Sequence, residues 1–219
     1  MEAKKAKFIV LEGGEGSGKS SLVIALKEIL GDTAFFTREP GGSPYAEAIR
    51  ETTLKNPLAK DAPRETTLCL MFAARFDNTK NALIPALERG LPVIADRFDA
   101  SSYAYNVYAQ ADGAKDLAQC EEIFWNLRGR LPAIPDLYIF IDVDPEEGYR
   151  RANTRNLSLL NGASQYDHFD DREIQFHTKV RDGYIKFLKK VPHVIVDANR
   201  PFEEVKREFI EVVKKEIKM

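Results

Sequence analysis

The chain has 219 residues, of which 44% are hydrophobic and 30% are charged, a length and composition suited to one globular domain. Its net charge of −2 and its pI near 6.0 lack the basic excess of a dedicated nucleic-acid-binding protein, so we expect no nucleic-acid partner. The basic start of the chain is followed only by the apolar run Phe8–Leu11, which is too short for a signal-peptide core or a membrane span. These features predict a cytoplasmic protein with no membrane partner.

Five apolar runs along the chain predict strands. In chain order they are Phe8–Leu11, the weaker Ala34–Phe36, Val93–Ala95, Leu137–Ile141 and Val194–Val196. The four stronger runs end at an acidic residue or just before one: Glu12, Asp96, Asp142 and Asp197. Runs of β-branched and aromatic residues like these are typical of strands that are buried on both faces of a parallel sheet.

Segments with helical spacing lie between these runs. The clearest is the last, where six apolar side chains fall on one stripe that we expect to pack in the core: Phe202, Val205, Phe209, Val212, Val213 and Ile217. Strands that alternate with helices predict a single α/β domain, residues 1–219, with a doubly wound parallel sheet of five strands flanked by helices. In such a sheet ligands bind beyond the carboxyl ends of the strands, where the acidic residues lie.

A phosphate-binding loop follows the first predicted strand. The stretch EGGEGSGKSS contains Gly13-x-x-x-x-Gly18-Lys19-Ser20 and satisfies the P-loop pattern G-x-x-x-x-G-K-[ST]. Glycines let the backbone N–H groups turn toward phosphate oxygens, and the helix that follows adds its positive end. Lys19 would reach the β- and γ-phosphates, and Ser20 would offer its hydroxyl to Mg²⁺. The predicted triphosphate-binding residues are Gly13, Gly14, Gly16, Ser17, Gly18, Lys19, Ser20 and Ser21.

A second metal ligand is expected at the end of the third apolar run. Asp96 follows Val93–Ala95 and is placed to hold Mg²⁺ or its waters, and Arg97, directly after it, can face a phosphate. Asp142 is the competing candidate, but it follows a strand nearer the end of the chain and lacks the basic neighbour. We therefore predict Ser20 and Asp96 as the metal-binding residues.

Arginines predict a second phosphate site. Arg38, Arg50, Arg75 and Arg97 lie in separate predicted loops and helix starts, and the planar guanidinium group suits phosphates and base edges. No N-K-x-D motif for guanine is present, which disfavours a GTP-dependent switch. The pattern favours an acceptor that already carries a phosphate, bound next to the triphosphate.

Six sequence blocks resemble, in their order and rough spacing, those of thymidylate (dTMP) kinases. They are EGGEGSGKSS, TREPGGS, LMFAAR, DRFDASSYAYN, PDLYIFIDV and DHFDD, and they cover about residues 7–210. The resemblance is to the bacterial type, because Gly16 stands where the eukaryotic type often has an arginine; in the bacterial type a mobile lid, here about residues 150–171, supplies that charge. It implies transfer of the γ-phosphate of ATP to dTMP with Mg²⁺ as cofactor, and a homodimer.

The same resemblance implies roles for individual residues. Glu15, an acid inside a phosphate loop, would bind the 3′-hydroxyl of the acceptor sugar and not the ATP phosphates. Three arginines would surround the acceptor phosphate: Arg38, Arg50 and Arg97. The residues implied around the acceptor base and sugar are Arg75, Ser102, Tyr105 and Pro40. Asn199 belongs to a loop, residues 197–201, that would pack on the donor adenine, and Lys19 with a lid arginine would stabilise charge on the transferred group.

Two features depart from the family pattern. The family has a phenylalanine four residues before the base-reading arginine, where this chain has Met71, and Phe72 is displaced by one position, or about 100° on a helix. Either Met71 covers the base or the local register shifts. In the lid, the stretch NLSLLNGASQY has no basic residue, and His168 stands where an arginine is common. Arg155, with Arg151 second, is the candidate for the catalytic lid charge.

Three alternatives to a dTMP kinase remain open at the level of sequence. One is a kinase of the same class with another acceptor, such as dUMP, a bulkier deoxynucleotide or a deoxynucleoside, and the arginine cluster disfavours the last of these. Another is a nucleotide-binding regulatory protein without turnover, which the intact Lys19, Ser20, Asp96 and Arg97 disfavour. The third, a DNA-associated P-loop ATPase, is disfavoured by the net charge.

Overall fold

One parallel sheet forms the centre of the protein. The computed structural model describes the backbone of residues 6–159 and 171–218 and the side chains of residues 6–154 and 173–218. The strands are β1 (Phe8–Gly13), β2 (Phe35–Arg38), β3 (Val93–Asp96), β4 (Leu137–Asp142) and β5 (His193–Asp197). They are parallel and lie in the order β2-β3-β1-β4-β5. The predicted five-stranded parallel sheet is confirmed.

Helices connect the strands. They are α1 (Lys19–Leu30), α2 (Pro44–Arg50), α3 (Arg64–Asn78), α4 (Ile84–Glu88), α5 (Asp99–Ser102), α6 (Gly113–Arg128), α7 (Pro145–Leu159), α8 (Asp171–Leu188) and α9 (Phe202–Ile217). Wider, π-helical turns continue α2, α3 and α5 over Glu51–Lys55, Thr79–Leu83 and Tyr103–Tyr108, and 3₁₀ turns cover Gly31–Thr33 and Pro57–Asp61. No helix in the described part of the chain combines the length and the apolar composition that crossing a bilayer would need.

Helices cover both faces of the sheet, as β1 demonstrates. Its residues alternate between two hydrophobic clusters, because successive side chains of a strand point to opposite faces. Phe8 and Val10 pack with residues of α3, α5, α6 and α8, whereas Ile9 and Leu11 pack with residues of α1 and α9. All four side chains are buried, so the sequence predicts this central strand correctly as apolar on both faces.

The edge of the sheet and the start of α9 differ from the sequence-based expectation. β5 is an edge strand with β4 as its neighbour, and its Ile195 is 43% exposed. In α9, Val205, Phe209 and Val213 are buried as predicted, but Phe202 is 42% exposed. The Phe202 ring lies beside Gly18 of the P-loop, 3.9 Å from where a Cβ on that glycine would stand. Phe202 therefore belongs to the border of the phosphate loop and not to the core.

Candidate active site

The P-loop, Asp96 and Arg38 lie together at the carboxyl end of the sheet. β3 lies between β2 and β1, and Asp96 at its end is level with Arg38 of β2 and Leu11 of β1. The P-loop leaves β1 after Gly13, the last residue of that strand. Strand order alone thus brings the phosphate loop, the predicted metal ligand and a predicted acceptor arginine to one edge.

The P-loop is closed by its own side chains. Ser17 is buried and donates a hydrogen bond from Oγ to the carbonyl oxygen of Gly14, with a length of 2.9 Å. Ser20 and Ser21 lie exposed in the first turn of α1, at the positive end of that helix. The loop therefore keeps its shape through Ser17 and leaves two hydroxyl groups open to a ligand.

Lys19 and Asp96 form an ion pair inside the site. Lys19 is only 6% exposed, and its Nζ lies 3.1 Å from Oδ1 of Asp96. Burial lowers the pKa of Lys19, and the nearby Arg97 guanidinium lowers it further, while the Asp96 carboxylate acts in the opposite direction. A bound triphosphate would add negative charge beside the Lys19 ammonium and so favour its charged form.

The predicted metal ligands fit Mg²⁺. Ser20 and Asp96 offer the oxygen donors that this ion prefers, and the buried Oδ1 of Asp96 has no partner among the described residues apart from the Lys19 ammonium. The competing candidate, Asp142, is already engaged, because Arg181 of α8 donates from Nε and Nη2 to its two oxygens at 2.6 and 2.7 Å. No cluster of three His, Cys, Asp or Glu side chains suited to a metal occurs in the described residues, so phosphate oxygens and water would complete the shell.

The middle of the P-loop rests directly on the first turn of α7. Gly16 has φ of +66°, and a Cβ at this position would overlap the backbone of Gly148. A Cβ at Gly148 would in turn lie 2.5 Å from the carbonyl oxygen of Glu15. The arginine that the eukaryotic type often has at position 16 would not fit here without displacing α7.

Arg97 is held by hydroxyl groups and an aromatic ring. Its Nη1 donates to Oγ of Ser101 and to the phenolic oxygen of Tyr184, both at 3.0 Å, and its guanidinium lies 5.4 Å from the centroid of the Tyr105 ring. Arg97 also has φ of +69°, in the left-handed region that few non-glycine residues adopt. The nearby Glu15 carboxylate contributes to raising the pKa of Tyr105, after burial as the main cause, so Glu15, Tyr105 and Arg97 share one region of the site.

Arg75 is fixed in a buried polar cluster. Its Nε donates to Oε2 of Glu39 at 2.7 Å, and its Nη2 donates at 3.0 Å each to Oγ of Ser102 and to the carbonyl oxygen of Phe98. Nη1 is buried and has no hydrogen-bond partner within the described residues. Burial raises the pKa of Glu39 to about 7, although Arg75 and Asn78 lower it. Arg75 and Ser102, both predicted at the base, are thus in direct contact, with one donor left unused.

The remaining acceptor residues lie in the loop after β2 and in α2. Pro40 follows a cis peptide bond, and its carbonyl oxygen accepts a 2.7 Å hydrogen bond from Nη1 of Arg50. Arg38 is more exposed, and its Nη2 pairs with Oε2 of Glu47 at 2.9 Å; the other oxygen of Glu47 accepts from the backbone N–H of Gly42. The structure brings Arg50 to Pro40, whereas Arg38 is engaged by a carboxylate.

Phe72 lies in the core and not at the surface of the site. It is 1% exposed, its ring packs edge-on against Phe124, and the Arg75 guanidinium lies 4.7 Å from its centroid. Met71, one position earlier on α3, is half-buried. Phe72 therefore packs between Phe124 and the Arg75 guanidinium, and Met71 stands at the family's stacking position. Contact of Met71 or Phe72 with the acceptor base, for which both are candidates, stays a prediction.

The donor loop and the base of the lid are joined by hydrogen bonds. Asn199 accepts from the backbone N–H of Asp144 at 2.9 Å and donates to Asp197 at 2.7 Å. Arg151 donates to Glu147 at 2.6 Å and to the carbonyl oxygen of Ala198 at 2.9 Å, so it connects α7 to the loop at residues 197–201. The side chain of Arg155 and residues 160–170, which include His168, lie outside the described part of the chain.

A family model described as thymidylate kinase matches residues 11–209 of this chain. The chain belongs to the thymidylate kinase family. It is 38% identical over 212 residues to a thymidylate kinase of Clostridium novyi. That alignment covers 92% of this chain and 97% of the relative. It is 35% identical over 220 residues to one of Halalkalibacterium halodurans, covering 98% and 99% respectively. The predicted family is confirmed.

A solved thymidylate kinase has the same fold. The crystal structure of the enzyme from Ehrlichia chaffeensis superposes with a TM-score of 0.66 at 26% sequence identity and covers 96% of this chain and 99% of that one. The match spans nearly the whole of both chains, so the likeness extends over the whole fold.

Sequence reasoning misses several residues of this site. Glu12 stands out in the sequence only as the acid that ends the first strand, and Tyr184 and Gly148 carry no signal. Gly148 contacts the P-loop, and Glu12 and Tyr184 contact each other beside Arg97 although 172 positions separate them. A buried acid at the carboxyl end of a central strand is the one available clue, because such a group needs partners.

Proposed function

We propose that this protein is an ATP-dependent dTMP kinase, which converts ATP and dTMP to ADP and dTDP. One observation carries the proposal: Lys19 and Asp96, on the donor side, form a 3.1 Å ion pair directly beside Arg97, on the acceptor side, at the carboxyl end of β3. Membership of the thymidylate kinase family supports the choice of acceptor. The sheet thus has one place where a triphosphate and a second phosphate can face each other.

On the donor side, the P-loop binds the ATP phosphates through its backbone N–H groups and Lys19. Ser20 and Asp96 hold Mg²⁺, which neutralises charge on the phosphates when it is bound. The loop at residues 197–201, with Asn199 in it, packs on the adenine, and the exposed ring of Phe202 borders the P-loop next to it.

On the acceptor side, Arg97 and Arg50 hold the dTMP phosphate, with Arg38 released from Glu47 to join them. Arg75 and Ser102 contact the base; the unused, buried Nη1 of Arg75 is the donor that supports this assignment. Binding at these prearranged donors costs little reorganisation, which favours transfer between two fixed reactants.

Around the sugar, Glu15 binds the 3′-hydroxyl, and the Tyr105 ring crowds the 2′ position and disfavours ribonucleotides. Pro40 shapes the turn beside the acceptor. These three assignments rest on the family pattern and on the shared neighbourhood of Glu15, Tyr105 and Arg97.

In the reaction, an oxygen of the dTMP phosphate attacks the γ-phosphorus of ATP in line, and the bond from the γ-phosphorus to the β–γ bridging oxygen breaks. No general base is needed, because the attacking phosphate is already an anion. Lys19 and the lid arginine, for which Arg155 is our candidate, stabilise charge on the transferred group. Closure of the lid at about residues 150–171 excludes water and so suppresses ATP hydrolysis.

The test is an acceptor panel. Initial rates of ADP formation with Mg·ATP are measured against dTMP, dUMP, dCMP, dGMP, AMP, UMP and thymidine, with a no-acceptor control. We expect a strong preference for dTMP, and a loss of about 10²–10³-fold in kcat for Lys19→Ala. Lys27→Ala, an exposed lysine on the same helix, is the matched control and should keep wild-type rates. ATP binding without any acceptor-dependent turnover would contradict the proposal.

A kinase with a shifted acceptor is the second candidate, and the burial of Phe72 is the observation that favours it. With Phe72 in the core, Met71 is the side chain at the family's base-stacking position, and a thioether side chain is more adaptable than an aromatic ring. Faster turnover of dUMP or dCMP than of dTMP in the same panel would select this candidate.

The homodimer implied by the family resemblance stays a prediction, as does the cytoplasmic location expected from the sequence. Light scattering after size-exclusion chromatography tests the first, since a dimer has twice the 24.8 kDa mass of the chain.

A further inference from the structure

Three polar side chains outside the predicted machinery form a buried network behind Arg97. Ser101 donates from Oγ to Oε2 of Glu12 at 2.6 Å, and the hydroxyl of Tyr184 lies 2.8 Å from Ser101 Oγ and 3.3 Å from the same oxygen of Glu12. Glu12 and Tyr184 are both fully buried. The members come from β1, α5 and α8, so the network joins three elements at one point.

In this network the hydroxyl oxygens of Ser101 and Tyr184 accept hydrogen bonds from Arg97. Because Ser101 uses its proton on Glu12, its oxygen accepts from Arg97, and Tyr184 accepts from Arg97 as well, each at 3.0 Å. Burial raises the pKa of Tyr184, so its phenol keeps its proton and donates within the network. Both hydrogen bonds are made by Nη1, and the Tyr105 ring lies against the same guanidinium, so three side chains fix its orientation.

Glu12 also holds the backbone that follows Arg97. Its Oε1 accepts from the N–H of Phe98 at 2.8 Å and from the N–H of Ser101 at 3.2 Å. The φ of +69° at Arg97 is unfavourable for a residue with a side chain and persists only where the surroundings enforce it, and these two bonds are made directly after it. One carboxylate thus fixes both the turn that carries Arg97 and the hydroxyl group that binds its side chain.

We propose that Tyr184 and Glu12 are positioning residues, which aim the Arg97 guanidinium at the acceptor phosphate before substrate binds. The proposal rests on the role given to Arg97 under the proposed function. A charged donor that is already oriented stabilises the reacting phosphates without reorganisation, so the network contributes to turnover although none of its members touches substrate. Tyr184 is the member best suited to a test, because its hydroxyl can be removed while its ring stays.

Tyr184→Phe tests the proposal against Tyr138→Phe as a matched control. Tyr138 is also fully buried and donates to a buried carboxylate, that of Asp99, at 2.6 Å. Both variants should lose stability to a similar degree in urea unfolding. Only Tyr184→Phe should lower kcat/KM for dTMP, by on the order of tenfold, because it removes a hydrogen bond to a charged group. The KM for ATP should stay unchanged in both.

A double-mutant cycle with Arg97→Ala, followed by single-turnover measurements, shows whether Tyr184 acts through Arg97. We expect Tyr184→Phe to have no further effect once Arg97 is absent. An equal effect in both backgrounds, or kinetics of Tyr184→Phe that match those of Tyr138→Phe, would overturn the positioning role alone. Wild-type kinetics in Arg97→Ala would instead contradict the role of Arg97 itself, and the positioning role with it.

Discussion

The acceptor side of the site and the base of the lid hold their arginines in opposite ways. On the acceptor side, Arg75 and Glu39 form an ion pair in which each side chain is 2% exposed. At the start of α7, Arg150 and Glu147 form a pair of the same length, 2.7 Å, in which the side chains are 60% and 30% exposed. Two ion pairs of equal length therefore differ in how much they affect stability, because water screens the charges of the exposed pair and not those of the buried pair.

Under the proposed function, this difference suits the parts that the two sides would take in catalysis. Buried guanidinium groups with fixed partners are aimed before substrate arrives, which suits the recognition of one acceptor. Exposed arginines that exchange partners at little cost suit a segment that must open and close for each turnover. Substitutions on each side test whether buried and exposed arginines behave differently.

The largest effect on stability is expected for Arg75→Ala. At a pH above the Glu39 pKa of about 7, removing this guanidinium leaves a buried carboxylate without its partner, and breaking one side of a buried ion pair costs about 3–5 kcal/mol. Urea unfolding measures the loss. Arg38→Ala is the matched control, because its pair with Glu47 is exposed on both sides and should contribute about 0–1 kcal/mol. Similar losses in the two variants would remove the contrast between buried and exposed pairs.

A pH dependence follows from the same buried pair. Burial raises the pKa of Glu39 to about 7 from 4.5, so the folded state holds this proton at pH values where the unfolded state has released it. The free energy of unfolding from this group therefore falls as the pH rises from about 4.5 to about 7, by on the order of 3 kcal/mol in total. The stability of the wild type relative to Glu39→Gln should fall over that range. Glu146→Gln, an exposed change, should show no such trend relative to the wild type.

The sequence predicts local elements better than contacts between distant ones, for a physical reason. The five strands and the P-loop lie in short blocks whose geometry is set by neighbouring residues, so a pattern in the chain suffices to find them. The contacts of Tyr184 and Gly148 depend on how distant helices approach β1 and the P-loop, and no local pattern encodes that distance.

Phe72 illustrates the same limit from the other direction. Its displacement by one position is visible in the sequence. Whether the helix shifts its register or Met71 takes the place at the base depends on packing. In the structure, Phe72 packs in the core against Phe124, and Met71 is half-buried. Side-chain neighbours from other helices decide this, and single-sequence reasoning does not have access to them.

Gly148→Ala tests the contact between α7 and the P-loop. In an ordinary helix this change stabilises by about 0.5–1 kcal/mol. Here the added Cβ would lie 2.5 Å from the carbonyl oxygen of Glu15, and overpacking of this kind costs about 1–3 kcal/mol. We also expect a higher KM for ATP, because the loop or α7 must move.

The control for this change is Glu146→Ala, an exposed substitution on the same turn. It should leave the KM for ATP at the wild-type value and alter urea unfolding only slightly. A stabilised Gly148→Ala enzyme with an unchanged KM would mean that α7 does not rest on the loop in solution.

The smallest effect is expected at the exposed lid pair, and it is the one that most directly tests the idea of exchangeable partners. Arg150→Ala removes an exposed guanidinium that pairs with Glu147, so the free energy of unfolding should change little, and less still in high salt. Arg151→Ala removes a contact to the same Glu147 and also the 2.9 Å hydrogen bond to the carbonyl oxygen of Ala198, which joins α7 to the donor loop. Arg151→Ala should therefore raise the KM for ATP where Arg150→Ala does not. Equal kinetics in the two variants would show that the hydrogen bond between Arg151 and Ala198 has no part in donor binding.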